Sequence, residues 1–103
     1  MWYSASLFFE SVHNSQSGDD NIWEEQIVLF WAGSEAGARE KAEVFGRRHE
    51  HAYQSATGDQ VQWKFRAVQS IFELIDQELK DGTEAFSRFV RPAEAQSLLT
   101  DLE

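Results

Sequence analysis

The chain of 103 residues contains no cysteine, which excludes disulfide staples, cysteine-ligated zinc and thiol nucleophiles. Stability has to come from packing. No run of about 18 apolar residues is present, so no segment reads as a membrane-spanning helix. The alternating pattern that begins at Trp2 has no basic leader before it, and a cytoplasmic protein without membrane association is expected. Cations are scarce, with 9 Lys and Arg against 18 Asp and Glu, and none occurs before Arg39. Phosphate backbones and anionic lipids are held by clustered cations, so nucleic acid is not an expected partner. Gly-x-Ser-x-Gly, phosphate-cradling glycine loops and the dinucleotide-binding fingerprint are all missing. No catalytic, metal-ligating or cofactor-binding residues are assigned, and no cofactor is expected.

What the chain does have is a central apolar run, Ile27-Val28-Leu29-Phe30-Trp31-Ala32, followed by Gly33 and Ser34. Such a run reads as a strand apolar on both faces, reaching back to about Ile22. Before it, residues 2–12 alternate, with Tyr3, Ala5, Leu7 and Phe9 on one side and Trp2, Ser4, Ser6 and Phe8 on the other. The polar stretch 13–21, with Ser17-Gly18-Asp19-Asp20-Asn21, supplies a turn between the two strands. After the run, Ser34 is an N-cap with Glu35 at the positive helix end, and Ala38, Ala42, Phe45, His49 and Ala52 or Tyr53 share a stripe. A helix over 35–54 is expected, close to the sheet because the stripe is rich in alanine.

Val61 to Ile75 reads as a third strand, interrupted near Gln69-Ser70, where the apolar parity slips as at a bulge. Asp81-Gly82 is a hairpin signal, and a fourth strand is expected over 84–90. Pro92, the one proline, ends the sheet, and Leu98, Leu99 and Leu102 could share one side of a short helix. The fold class is α+β in the order β-β-α-β-β: a mainly antiparallel four-stranded sheet with one long helix on one face. The domain is expected to span residues 1–92, with 93–103 as a C-terminal tail.

Several of these stretches together carry a resemblance. Trp2-Tyr3-Ser4-Ala5, Leu7 to Val12, Glu24-Glu25 with Ile27-Val28-Leu29, Ala32-x-Ser34-Glu35 with Ala38, Trp63-Lys64-Phe65, and Asp81-Gly82-Thr83-Glu84-x-x-Ser87-Arg88 resemble a small bacterial family of unknown function, DUF4288. The resemblance runs to about Arg91. It implies a compact α+β domain of bacterial origin and carries no active site.

The remaining candidates concern surfaces. Asp19, Asp20, Glu24 and Glu25 form a candidate acidic surface, and Glu73, Asp76, Glu78, Asp81 and Glu84 form a second cluster relieved only by Lys80. If the crossover from the second strand through the helix to the third is parallel and right-handed, the two turns fall at opposite ends of the sheet and the clusters at opposite poles, and solubility accounts for them more simply than a basic partner does. His49 and His51 stand two apart and point away from each other on a helix, so a shared metal is not expected, and His49 should be partly buried and hydrogen-bonded. A cation site at His13, Glu10 and the Asp19-Asp20 turn, and an acid–base pair of Glu10 with Glu73, are the weakest candidates. Parity assigns Val28, Phe30 and Ala32 to the helix and turns Trp23, Ile27, Leu29 and Trp31 outward beside Trp2 and Phe8. These six form a candidate interface. The expectation is a non-enzymatic interaction or accessory module acting as a homodimer through the outer sheet face. The C-terminal leucines are the competing cover for that face. The alternative is a small-molecule binder or small enzyme with an aromatic-lined pocket.

Overall fold

In the computed structural model, which describes residues 1–14 and 17–100, the first two strands form as the alternation requires: β1, Trp2–His13, and β2, Trp23–Trp31, pair antiparallel with Ala5 opposite Val28. The helix α1, Glu35–Arg48, begins where Ser34 accepts a hydrogen bond from the Gly37 amide. The short strand β3, His51–Gln54, and the long strand β4, Gln60–Glu73, complete an antiparallel sheet ordered β2-β1-β4-β3. A last helix, α2, Pro92–Leu99, follows. The order β-β-α-β-β is therefore the one expected. Since β1 is antiparallel to both of its neighbours, β2 and β4 run parallel on either side of it.

The core lies between α1 and one face of the sheet. Tyr3, Ala5, Leu7 and Phe9 of β1 are buried there with Ala38 and Ala42 of α1. Small residues let the helix come close. At Gly46 a Cβ would lie 2.4 Å from the ring of Phe65, so only glycine fits against that ring. Phe45 sits edge-on to Phe30 at 5.6 Å, which confirms the assignment of Val28 and Phe30 to the helix side. Burial raises the Tyr3 phenol pKa, aided by the charges of Glu73 and Glu35.

β4 carries two bulges, because the partners shift at Ser6/Leu7 and again at Phe8/Phe9, leaving Gln69 and Arg66 as extra residues. The first is the interruption expected near Gln69. The second restores the parity, so Val61, Trp63, Phe65, Val68 and Ile71 all reach the helix side, while Phe72 faces the other way.

Three expectations are corrected. The helix ends at Arg48, six residues early, because His51–Gln54 pairs with Gln60–Trp63 as a strand and Glu50 accepts a hydrogen bond from the Phe65 amide. β4 ends at Glu73, and residues 84–90 form no strand. The Asp81-Gly82 turn does form, with Gly82 at φ +86 and the Thr83 amide bonded to the Lys80 carbonyl. No strands flank it. Instead the segment after it crosses the sheet face away from α1, with Phe86 packed edge-on against Phe72 and Arg88 paired with Glu25 at 3.3 Å.

Candidate interaction surface

The outer face of the sheet is built from alternate residues of three strands. Across β2, β1 and β4 the rows read Leu29, Ser4, Phe72; Ile27, Ser6, Ser70; Glu25, Phe8, Ala67; and Trp23, Glu10, Lys64, with Trp31 beside Trp2 at one end. The line from Phe72 to Glu25, anchored by Phe86 and Arg88, passes over the serines in the middle. Small side chains seat the crossing segment there, and Ser4 and Ser6 are fully buried. Ser6 donates to Glu25, which Arg88 also holds, whereas the hydroxyls of Ser4 and Ser70 are buried without a protein partner among the described residues.

The crossing segment leaves the β2 side of the face open. Trp31 is 56% exposed, Trp23 51% and Ile27 42%, while Leu29, Trp2 and Phe8 are half-buried. Trp2 and Trp31 meet edge-on at 5.3 Å. All six candidate interface residues thus share one face, as parity required. The C-terminal leucines do not supply the cover: the crossing segment takes the centre, and α2 only borders an open cleft with Phe8, Trp23 and Glu25 while leaving Leu98 and Leu99 exposed. Leu102 lies outside the described residues.

β2 is also an edge strand, and its hydrogen bonds show which backbone groups look outward. Ala32 donates to the Met1 carbonyl and Ser11 to the Ile22 carbonyl, so the even-numbered residues of β2 bond to β1. The amides and carbonyls of Trp23, Glu25, Ile27 and Leu29 point away from the sheet. Those of Trp31 do too, and its carbonyl accepts from Lys41. Beside this edge, on the α1 side, runs an open groove of about 640 Å³ lined by Phe30, Val44 and Phe45, with Lys41, Arg48, Glu40 and His49 around it. Its aromatic lining is Phe30 and Phe45, without tryptophan or tyrosine.

The acidic candidates do not form one surface. Alternation along β2 puts Glu24 on the helix side and Glu25 on the outer side, where Arg88 pairs with it. Asp19 and Asp20 lie exposed in a single turn of 3-10 helix, Gly18–Asp20. The second cluster follows the opposite end of β4, so the two are at opposite poles, as expected.

The remaining chemistry resolves into structural roles. Glu10 accepts from Asn21 at 2.8 Å and from the bulge residue Arg66 at 2.9 Å. The Asn21 bond and then the Arg66 guanidinium hold its carboxyl below the usual range, against the opposing effect of partial burial. Glu73 lies opposite Tyr3 and Glu10 opposite Lys64, so seven rungs, or about 23 Å at roughly 3.3 Å each, separate the two carboxylates. They cannot act as a pair. His13 turns to Asp59 at 3.7 Å and not to Glu10. His49 is exposed, contrary to expectation, yet hydrogen-bonded: its ring stacks on Phe45 and its Nδ1 lies 2.8 Å from the Phe45 carbonyl. His51 contacts the His49 carbonyl. Among the described residues no three His, Asp or Glu side chains converge as a metal site would require, and no helix is long and apolar enough to cross a membrane.

The family model described as Domain of unknown function (DUF4288) matches residues 2–87, and the chain belongs to that family. No curated protein and no solved structure matches it. The matched span includes the sheet, α1 and the start of the crossing segment, and stops before Arg88 and α2.

Proposed function

We propose that this domain is a non-enzymatic interaction module of the cytoplasm, acting as a homodimer joined through the outer face of its sheet. The observation that carries the reading is the exposure of Trp23, Ile27 and Trp31 in one row on an edge strand. Three large apolar side chains half in water on one element form a patch of the kind that soluble proteins keep for contacts. Burying it stabilises an assembly at roughly 25 cal/mol per Å² before the cost of association is subtracted. Two-fold pairing is the commonest way to cover such a patch. Light scattering on the full chain tests this: the wild type should run as a dimer and Trp31→Glu as a folded monomer. A wild type that stays monomeric at high micromolar concentration rejects the reading.

A second reading rests on the groove beside α1. Phe30, Val44 and Phe45 with Lys41 and Arg48 suit a small apolar ligand carrying an anionic group. Binding of a fatty acid or aromatic carboxylate that is lost in Val44→Glu would favour it.

A further inference from the structure

Resting on that self-association, we propose that the two copies meet at the margin of that face, where its apolar row is brought together across the junction: β2 of one pairs edge to edge and antiparallel with β2 of the other, about a two-fold axis at Ile27, joining the sheets into one of eight strands. The outward backbone groups dictate the register. Trp23, Glu25, Ile27, Leu29 and Trp31 alone turn amides and carbonyls to the open edge, so only registers that set odd residues against odd residues form hydrogen bonds. The register that uses all nine residues of the strand sets Ile27 against Ile27, Glu25 against Leu29 and Trp23 against Trp31.

The side chains agree with a second copy of this chain as the occupant. On the outer face, each exposed Trp23 comes beside the Trp31 of the other copy, extending the Trp2–Trp31 contact into an aromatic row across the junction. On the helix side, the same register sets the exposed Glu24 opposite Phe30 of the second copy, where Lys41 and Arg48 outweigh Glu40 around the groove. The acidic half of each strand thus meets the cationic flank of the other copy, twice, by symmetry. Lys41, which covers the Trp31 carbonyl in the single chain, would exchange that partner for Glu24 as the Trp23 amide takes its place. Room exists on that side because α1 packs chiefly on β4 and β1. The edge itself runs for nine residues without proline or bulge, and Lys41 covers only the Trp31 carbonyl at its end.

Two experiments on the full chain separate this geometry from self-association in general. Since the chain has no cysteine, Ile27→Cys introduces a single thiol. Facing residues in a hydrogen-bonded antiparallel pair have Cα atoms about 5.5 Å apart, within disulfide reach. Mild oxidation should convert this variant to a covalent dimer, and a Ser34→Cys control should not form one. In sedimentation equilibrium, Ile27→Pro, whose lost amide faces solvent in the single chain, should be folded and monomeric. Glu24→Lys should weaken the dimer about tenfold, and adding Lys41→Glu should restore it. A dimer that survives Ile27→Pro and fails to cross-link at Ile27→Cys, yet is lost in Trp31→Glu, overturns the edge pairing and keeps the face contact. A monomeric wild type overturns both. If Ile27→Pro does not fold, the cross-link decides alone.

Discussion

Single side chains set the spacing of the layers, and Gly46 is the clearest case. Replacing it by alanine gains up to about 1 kcal/mol of helix propensity. The added methyl, however, lands 2.4 Å from a Phe65 ring that itself packs on Phe9. Overpacking of this kind costs about 1–3 kcal/mol, so it wins, and Gly46→Ala should lower the unfolding free energy measured in urea. On the outer face the serines divide by partner. Ser6→Ala removes the bond to Glu25 and should cost about 1 kcal/mol, whereas Ser4→Ala replaces a buried, unpartnered hydroxyl by a methyl and should raise the melting temperature. A destabilised Ser4→Ala would mean that this hydroxyl has a role the geometry does not show. Glu10 gives a pH signature. Its carboxyl titrates lower in the folded protein than in the unfolded chain, so its contribution is full above the ordinary carboxylate pKa and is lost as pH falls through the depressed one. The stability gap between wild type and Glu10→Gln should therefore be widest near neutral pH and close on acidification. A gap that is constant with pH would contradict the assigned role of Asn21 and Arg66.

At the scale of elements, strong periodicity was legible and its interruptions were less so. β1, β2, the start of α1 and the first bulge of β4 all follow from alternation, from the Ser34 cap and from the parity slip at Gln69. β3 was not legible, because all four of its residues are exposed and no burial pattern marks them; its identity comes from pairing with β4. Ala52 and Tyr53 keep the helical spacing of the stripe and so extend it past the end of α1 at Arg48. Asp81-Gly82 marks a turn but not the hairpin expected of it, because a turn signal does not say whether the chain after it joins a sheet edge or crosses a sheet face. Phe86 and Arg88 take the second course because Phe72 and Glu25 offer an aromatic and an ionic anchor there. Their anchoring also ranks the C-terminal elements. Deleting residues 92–103 removes α2, which buries none of its residues, and should leave the circular dichroism spectrum of the rest and its melting temperature nearly unchanged. Arg88→Ala, which frees the crossing segment and leaves Glu25 half-buried without its cation, should lower the melting temperature more. The reverse order would make α2 the main cover of the face.

For the whole molecule, the candidate surface was legible in its parity and illegible in its edge. Alternation in β2 was enough to turn Trp23, Ile27, Leu29 and Trp31 to the side away from the helix, and the crossing segment explains why only part of that side stays open. That β2 is an edge strand depends on the placement of β4 beside β1, a long-range pairing that no local pattern records. The acidic surface dissolved for a related reason: Glu24 and Glu25 are neighbours in sequence, and a strand sends neighbours to opposite faces. What remains is one open apolar row on an open strand edge, in a chain carrying nine more negative than positive charges. Net repulsion between copies is screened by salt, whereas apolar burial and backbone pairing are not. Sedimentation equilibrium of the wild-type chain in physiological salt, from low to high micromolar concentration, is the most direct test. The account predicts a mass rising to twice the 11.9 kDa of the chain, retained at higher salt and abolished by Trp31→Glu. A single species at the chain mass throughout would contradict it.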